Sequence, residues 1–238
     1  SERSAQKSLN EFYTYDIQNY TVMPRLRYLS LAFIICLTAC GPKLEVKEET
    51  DELGFRKEYQ VDPETGLKNG FLREYDAEGR LYLEENYTND TLNGPRKVYA
   101  DNGQVIADEN IEMGEYVGEH RSYTENGVLA MRGEYANGAM NGLWYTYHPS
   151  GAIKAEITFL NNETNGPIRQ WYPDGTPELS GFYANSGDFT GDLIRYDSTG
   201  GLERVLNCHV DMGCKTYWTP DSSAQLPVAE VDMRLPEG

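Results

Sequence analysis

The sequence is poor in histidine, cysteine and basic residues. It has three histidines and four cysteines in 238 residues, and 21 Lys and Arg against 38 Asp and Glu, for a net charge of -17. Such a surface repels phosphate backbones, so nucleic acid is not expected as a partner. His120, His148 and His209 fall at unrelated places in the chain and are expected to be surface or edge side chains. Their spacing builds no catalytic triad or dyad, and we expect no enzyme, cofactor or metal site.

Long apolar runs are also missing. The segment Tyr28–Thr38 has about eleven residues, too few to span a ~30 Å hydrocarbon core as a helix. It follows Arg25 and Arg27 and precedes the tetrad Leu-Thr-Ala-Cys that ends at Cys40. This arrangement resembles a bacterial lipoprotein signal peptide. The resemblance implies cleavage before Cys40, acylation of its thiol and a stable membrane anchor of two or three chains. Gly41, in place of Asp, favours the outer membrane.

A period of 24 residues runs through the rest of the chain. A glycine, which we call position zero of each unit, recurs at Gly70, Gly94, Gly118, Gly142, Gly166 and Gly191. Position five is aromatic at Tyr75, Tyr99, Tyr123, Tyr147, Trp171 and Tyr196. Position nine is again glycine, and positions eleven and seventeen are mostly apolar. Gly54 with Tyr59 is interpreted as a degenerate first unit, and Gly213 with Trp218 as a truncated last one.

Each unit has the pattern of a β-hairpin. Positions one to six predict a short strand, the second glycine a tight turn, and positions eleven to eighteen a return strand. A looser loop is expected to lead to the next unit. Apolar residues at eleven and seventeen predict a sheet with one covered face, shared by position seventeen and the aromatic at five. We therefore predict an all-β fold: an elongated antiparallel meander of repeated hairpins in a single twisted sheet.

The recurring pattern G-x₄-[YW]-x₃-G resembles the bacterial variant of the MORN repeat over about residues 54–218. The resemblance implies an elongated sheet and a role in scaffolding, membrane association or protein contact. We expect a lipid-anchored, non-enzymatic protein of the cell envelope that presents a β surface to an unknown protein partner. Some bacterial members of the family are antitoxin or immunity proteins, which is the alternative, and a structural spacer is a third possibility. The aromatic column is expected to pack the core, with ligand stacking as the other interpretation.

Two cysteines remain after export, because Cys36 belongs to the signal peptide and Cys40 is acylated. A hairpin would bring Cys208 and Cys214 opposite each other in an oxidising compartment, which predicts a disulfide. A metal site made of Cys208, His209 and Cys214 would lack a fourth ligand. The predicted organisation is an upstream leader (1–22), a signal peptide (23–39), a lipidated cysteine with a charged tether (40–53, where Leu44 and Val46 could open a strand), the repeat domain (54–218) and a C-terminal tail (219–238).

Overall fold

A computed structural model describes residues 43–184, 187–223 and 233–236. The predicted leader, the signal peptide and Cys40 lie outside these residues. The described residues form sixteen β-strands and no helix. In chain order the strands are β1 (Glu45–Thr50), β2 (Arg56–Val61), β3 (Lys68–Tyr75), β4 (Leu81–Thr88), β5 (Thr91–Leu92), β6 (Gly94–Tyr99), β7 (Val105–Glu112), β8 (Glu115–Tyr123), β9 (Leu129–Ala136), β10 (Ala139–Tyr147), β11 (Ile153–Leu160), β12 (Glu163–Trp171), β13 (Pro177–Tyr183), β14 (Gly191–Tyr196), β15 (Leu202–His209) and β16 (Gly213–Trp218).

All sixteen strands belong to one open sheet. Each strand pairs antiparallel with the one before it, and only the two-residue β5 lies off this path, where it pairs with β4. The predicted all-β meander is therefore confirmed. The sheet begins at β1, whose six residues are all exposed and mostly charged. Charged side chains on an edge strand oppose pairing with a further chain.

The return strands lie where the repeat predicts them. β4, β7, β9, β11 and β15 each cover positions eleven to eighteen of their unit. The prediction of a looser loop between units was wrong after β4, β7, β9 and β11, where two residues form the turn, whereas longer connections join β2 to β3 and β13 to β14. Between β9 and β10, Asn137 and Gly138 have φ values of 54° and 74°. Two consecutive residues with positive φ make a type I′ turn, for which Asn-Gly is the preferred sequence.

The first repeat glycine lies inside a strand and forms a bulge. From Asn141 to Tyr145, β10 advances four residues while its partner β9 advances only two, from Glu134 to Arg132. Gly142 lies in this stretch with φ of 72°, a conformation that side chains disfavour. The same offset recurs between β7 and β8 and between β11 and β12. The glycine of position zero is thus required by a bulge within the sheet.

A second bulge, in the return strands, decides which side chains share a face. Trp144 pairs with Ile157, but Tyr147 pairs with Ile153 after the register shifts by one residue. We call the side of the sheet that carries Trp144 face A; it holds positions two, thirteen, fifteen and seventeen. Face B is the side that carries Trp171, with positions three, five, eleven and fourteen. The expectation that positions five and seventeen share a face was wrong, because one extra residue reverses the alternation.

Most of the buried hydrophobic side chains lie on face A, although Trp171, Ile194 and Val205 are buried on face B. On face A, Ile168, Leu179, Leu193 and Cys208 form a buried cluster, with Ile157, Tyr183, Phe189 and Leu206 packed against it. The position-five aromatics, expected to pack the core, lie on the other face, and of them only Trp171 is buried. The most consistently buried column is position two: Leu72, Arg96, His120, Trp144, Ile168 and Leu193.

The first unit differs from its predicted form. Gly54 lies at the tip of the β1–β2 hairpin, where its N–H donates to Asp51 O at 3.1 Å, as the position-nine glycines do in their turns. Tyr59 pairs with Leu72 and so lies on face A, apart from the position-five column. Assigning Gly54 to position zero was therefore wrong. β1 lies within the predicted tether, in agreement with the alternative of a strand opened near Leu44 and Val46.

Candidate interaction surface

A ladder of charged side chains crosses the N-terminal half of face A. Arg96 Nε lies 2.9 Å from Glu85 Oε1, and Arg96 Nη1 lies 2.6 Å from Glu109 Oε2. Glu109 Oε1 lies in turn 3.2 Å from Nδ1 of His120. Glu85, Glu109 and His120 are all buried. The ladder ties four strands, β4, β6, β7 and β8, through contacts that require one register.

The ladder shifts the ionisation of its members. Burial alone would raise the pKa of Glu109, but its contacts with His120 and Arg96 outweigh burial and lower it. Burial opposes the charge of Arg96, yet Glu109 and Glu85 raise its pKa above the usual value. Burial and the hydrogen bond that Tyr87 donates to Glu85 together raise the pKa of Tyr87 to about 12. Glu85 and Glu109 both accept hydrogen bonds from these neighbours, which suits a structural network better than proton transfer.

Aromatic rings continue face A beyond the ladder. Trp144 is fully buried, and its ring centroid lies 5.6 Å from that of His120 and 5.2 Å from that of Tyr135. Phe159 packs edge-on against Trp144 at 6.1 Å, and Tyr116 lies 5.1 Å from Tyr135. Edge-to-face rings at such distances stabilise one another. The expectation of a surface histidine was wrong for His120, which is 6% exposed at the centre of this packing.

One rule, which the sequence analysis missed, links these residues. Position fifteen of a unit faces position two of the next, and their side chains are complementary. Glu85 and Glu109 face Arg96 and His120. Gly133 faces Trp144, and a Cβ on Gly181 would lie 2.7 Å from Leu193 Cδ1. Comparing these two columns in the 24-residue alignment would have found the ladder, since carboxylates precede arginine or histidine and glycines precede large side chains.

Face B carries a second ladder, in which cross-strand partners alternate in charge. The ladder consists of side chains at positions three and fourteen, and each one lies opposite the next in the neighbouring strand. In order they are Glu58, Arg73, Glu84, Lys97, Asp108 and Arg121. The alternation breaks at the next step, because Arg121 lies opposite Arg132. Like charges placed directly opposite each other destabilise a sheet. It resumes beyond Tyr145, where Glu156 pairs with Arg169 at 2.6 Å.

A surface groove lies at this break. It is lined by Glu119, Arg132, Gly133, Glu134, Asn141, Gly142, Leu143 and Tyr145. The Arg132 guanidinium lies 5.0 Å from the ring centroid of Tyr145, and among the described residues it makes no ion pair. Leu143 beside it is 46% exposed. A cation without a carboxylate next to an exposed apolar side chain can bind a carboxylate-bearing apolar segment.

The position-five aromatics follow the same face. In the N-terminal half their hydroxyls donate within the sheet, Tyr75 to Glu58 at 3.2 Å and Tyr99 to Glu84 at 3.1 Å. Trp171 differs, since its indole Nε1 donates to the main-chain O of Met233 at 2.9 Å. It is also fully buried, unlike the rest of the column. His148 supports this position from the preceding hairpin, with Nε2 2.8 Å from Trp171 O.

The two cysteines lie at the end of the sheet. Cys208 and Cys214 are direct cross-strand partners in β15 and β16, with Cα atoms 3.9 Å apart and a bond between their sulfurs. Cys208 is part of the face A core, whereas Cys214 is exposed. Their juxtaposition follows from the register and owes nothing to a face shared with position five. His209 is exposed, and no cluster of metal-binding side chains occurs in the described ranges.

The comparison with known families identifies the central hairpins. A family model described as MORN repeat variant matches residues 116–137 and 140–161, whose first residues are 24 positions apart. These ranges contain the hairpins β8–β9 and β10–β11, which build the groove and the aromatic packing. The chain carries a MORN repeat variant at residues 116–161. No curated protein matches the chain.

The MORN repeat is consistent with a protein that takes part in interactions, and the repeat family is generally non-catalytic. In the described part of the chain, no helix has the length and hydropathy needed to cross a bilayer.

Proposed function

We propose that this protein is a lipid-anchored, non-enzymatic repeat protein of a bacterial cell envelope that binds another protein on face B. The observation that carries the proposal is the break in the face B ladder. Arg132 stands opposite Arg121 and beside the exposed Leu143, with Tyr145 under its guanidinium. A cross-strand carboxylate at residue 132 would stabilise the sheet more, so an arginine there is better explained by an external partner.

The chemistry of the groove indicates the kind of partner. A carboxylate can pair with Arg132, and an apolar side chain next to it can pack on Leu143 and Tyr145. Glu134 in the groove favours a basic residue close by, whereas Glu119 already pairs with Arg121 at 2.6 Å. The partner segment therefore combines an acidic group with apolar and basic neighbours, on a domain that is otherwise strongly acidic. The resemblance of residues 23–40 to a lipoprotein signal peptide supports the anchoring at Cys40, and with it a place in the outer membrane.

The proposal is tested by capture from solubilised membranes. The tagged full chain is compared with Arg132→Gln and with Lys154→Gln, which removes an equal charge from an exposed position of β11. We expect a protein recovered with the native chain and with Lys154→Gln, and lost with Arg132→Gln. Equal recovery with both variants contradicts the face B site, and recovery of no protein with any chain contradicts partner binding and favours a spacer. A recovered toxin, neutralised on co-expression, would establish the antitoxin alternative.

A further inference from the structure

Residues 233–236, near the C-terminus, lie on face B. Besides the bond from Trp171 to Met233, Leu235 lies over the turn after β12, where its Cδ1 is 3.3 Å from the place that a Cβ on Gly175 would take. Residues 233–236 have no regular secondary structure. A residue before proline is restricted to extended conformations and proline fixes its own φ, so Leu235 and Pro236 form an extended pair. An extended peptide thus covers the only buried aromatic among the described position-five residues.

We propose that the part of face B around Trp171 is a groove for an extended segment of another protein, with a large aliphatic residue followed by proline. Residues 233–236 then occupy this groove in cis and compete with that segment. The inference rests on the proposed function in one respect, that face B binds protein. It adds the chemistry of the partner and a built-in competitor.

The contacts of Trp171 are those that a general peptide groove needs. The indole N–H donates to a main-chain carbonyl, which every peptide offers, while the flat ring accepts aliphatic and proline side chains. Extended proline-containing segments dock on aromatic grooves at a low entropic cost, because they are already restricted before binding. The specificity for an aliphatic residue then comes from the turn at Gly175, where Leu235 lies, and the proline keeps the segment extended.

Trp171 shares face B with Arg132, and Tyr147 lies on the same face. Tyr145 and Tyr147 lie two residues apart in β10, so both side chains point to face B. Tyr147 occupies position five of its unit, as Trp171 does in the next unit. In the described part of the chain, the hydroxyl of Tyr147 has no hydrogen-bond partner, unlike those of Tyr75 and Tyr99. A segment longer than four residues can therefore extend from Trp171 over Tyr147 toward Arg132.

Covalent attachment explains why the chain's own segment holds the groove. A tethered segment acts at an effective concentration on the order of millimolar, so a weak intrinsic affinity is sufficient. A free partner segment must exceed that competition. Removing the tail should therefore raise the apparent affinity of the groove for a peptide, by about tenfold or more.

The test uses a fluorescent peptide with the sequence of residues 230–238 (EVDMRLPEG) and fluorescence anisotropy. We expect binding to a chain that ends at residue 223, and binding at least about tenfold weaker to the full chain. A peptide carrying Leu235→Ser and Pro236→Ala should bind the shortened chain about tenfold more weakly. Trp171→Phe in the shortened chain keeps the ring but removes the N–H donor, and should also weaken binding.

Each contrary result identifies what is wrong. Failure of the peptide to bind the shortened chain overturns the groove, and equal affinity for both chains overturns the competition in cis. Should the shortened chain not fold, full-length Leu235→Asp takes its place; loss of cooperative unfolding in that variant too would make the segment a fixed part of the fold and overturn the inference. The readout needs no natural partner, so a failed membrane capture would contradict the proposed function and leave this result unaffected.

Discussion

The indole ring of Trp144 in β10 lies over Gly133 in β9, in the space that any side chain at residue 133 would fill. Trp144 is fully buried there, so the ring has no open side toward which to move. The absence of a side chain at residue 133 is therefore a condition for the aromatic packing of face A.

Gly133→Ala should destabilise the fold through this contact. Overpacking a filled core costs about 1–3 kcal/mol, and the added methyl would enter the ring itself. Chemical denaturation gives the free energy of unfolding. The same substitution in a Trp144→Leu background should cost less, because a smaller side chain leaves room for the methyl. Equal costs in the two backgrounds would show that the two residues are not coupled.

Glu109→Gln should make the free energy of unfolding less dependent on pH in the acid range. The pKa of Glu109 is lower in the fold than in the unfolded chain, so its ionised form stabilises the fold above the unfolded pKa. That contribution disappears as the pH falls below about 4.5 and through the folded pKa. At neutral pH the variant should lose about 1–3 kcal/mol, since a neutral amide replaces the carboxylate beside Arg96 and His120 while Arg96 keeps its contact with Glu85. Unfolding free energies from pH 7 to pH 3 measure both effects, with the exposed Glu125→Gln as the control.

The bond between Cys208 and Cys214 should stabilise only the end of the sheet. Cys214→Ser removes the bond at an exposed residue, and closing so short a loop contributes on the order of 2–3 kcal/mol at best. Cys208→Ser also places a hydroxyl in the face A core and should cost more. Hydrogen exchange should accelerate in residues 205–218 and stay unchanged in β8 to β11. Two alkylatable thiols in the exported native protein would contradict the disulfide.

Cys40→Ser tests the membrane anchor. Without a thiol at residue 40 no diacylglycerol can be attached, so we expect unprocessed protein with no acyl chains. Intact-mass spectrometry of the membrane and soluble fractions measures both properties. Replacement of Cys36, four residues earlier, should leave lipidation intact and serves as the control. Acylated protein that begins at residue 40 of the Cys40→Ser variant would contradict the lipoprotein interpretation.

The fold class and the hairpin unit could be read from the sequence, because each hairpin is built from contacts between residues close in the chain. A glycine every 24 residues, a second glycine nine residues later and Asn137-Gly138 between hairpins each specify a local backbone conformation. The return strands accordingly have their predicted bounds. The complementarity of Glu109 with His120 was also present in the sequence, but it appears only when neighbouring units are aligned column against column.

Only the tertiary structure decided which side chains meet. A one-residue bulge before position thirteen places Tyr147 and Phe159 on opposite faces. The alternation of apolar and polar residues in the sequence does not predict this bulge. The same bulge makes His120 a core residue in place of a surface one. The contact of Met233 with Trp171 joins residues 62 positions apart, so the 24-residue repeat does not predict it. Such a contact depends on a surface that exists only after several hairpins have paired, whereas the sequence specifies each hairpin separately.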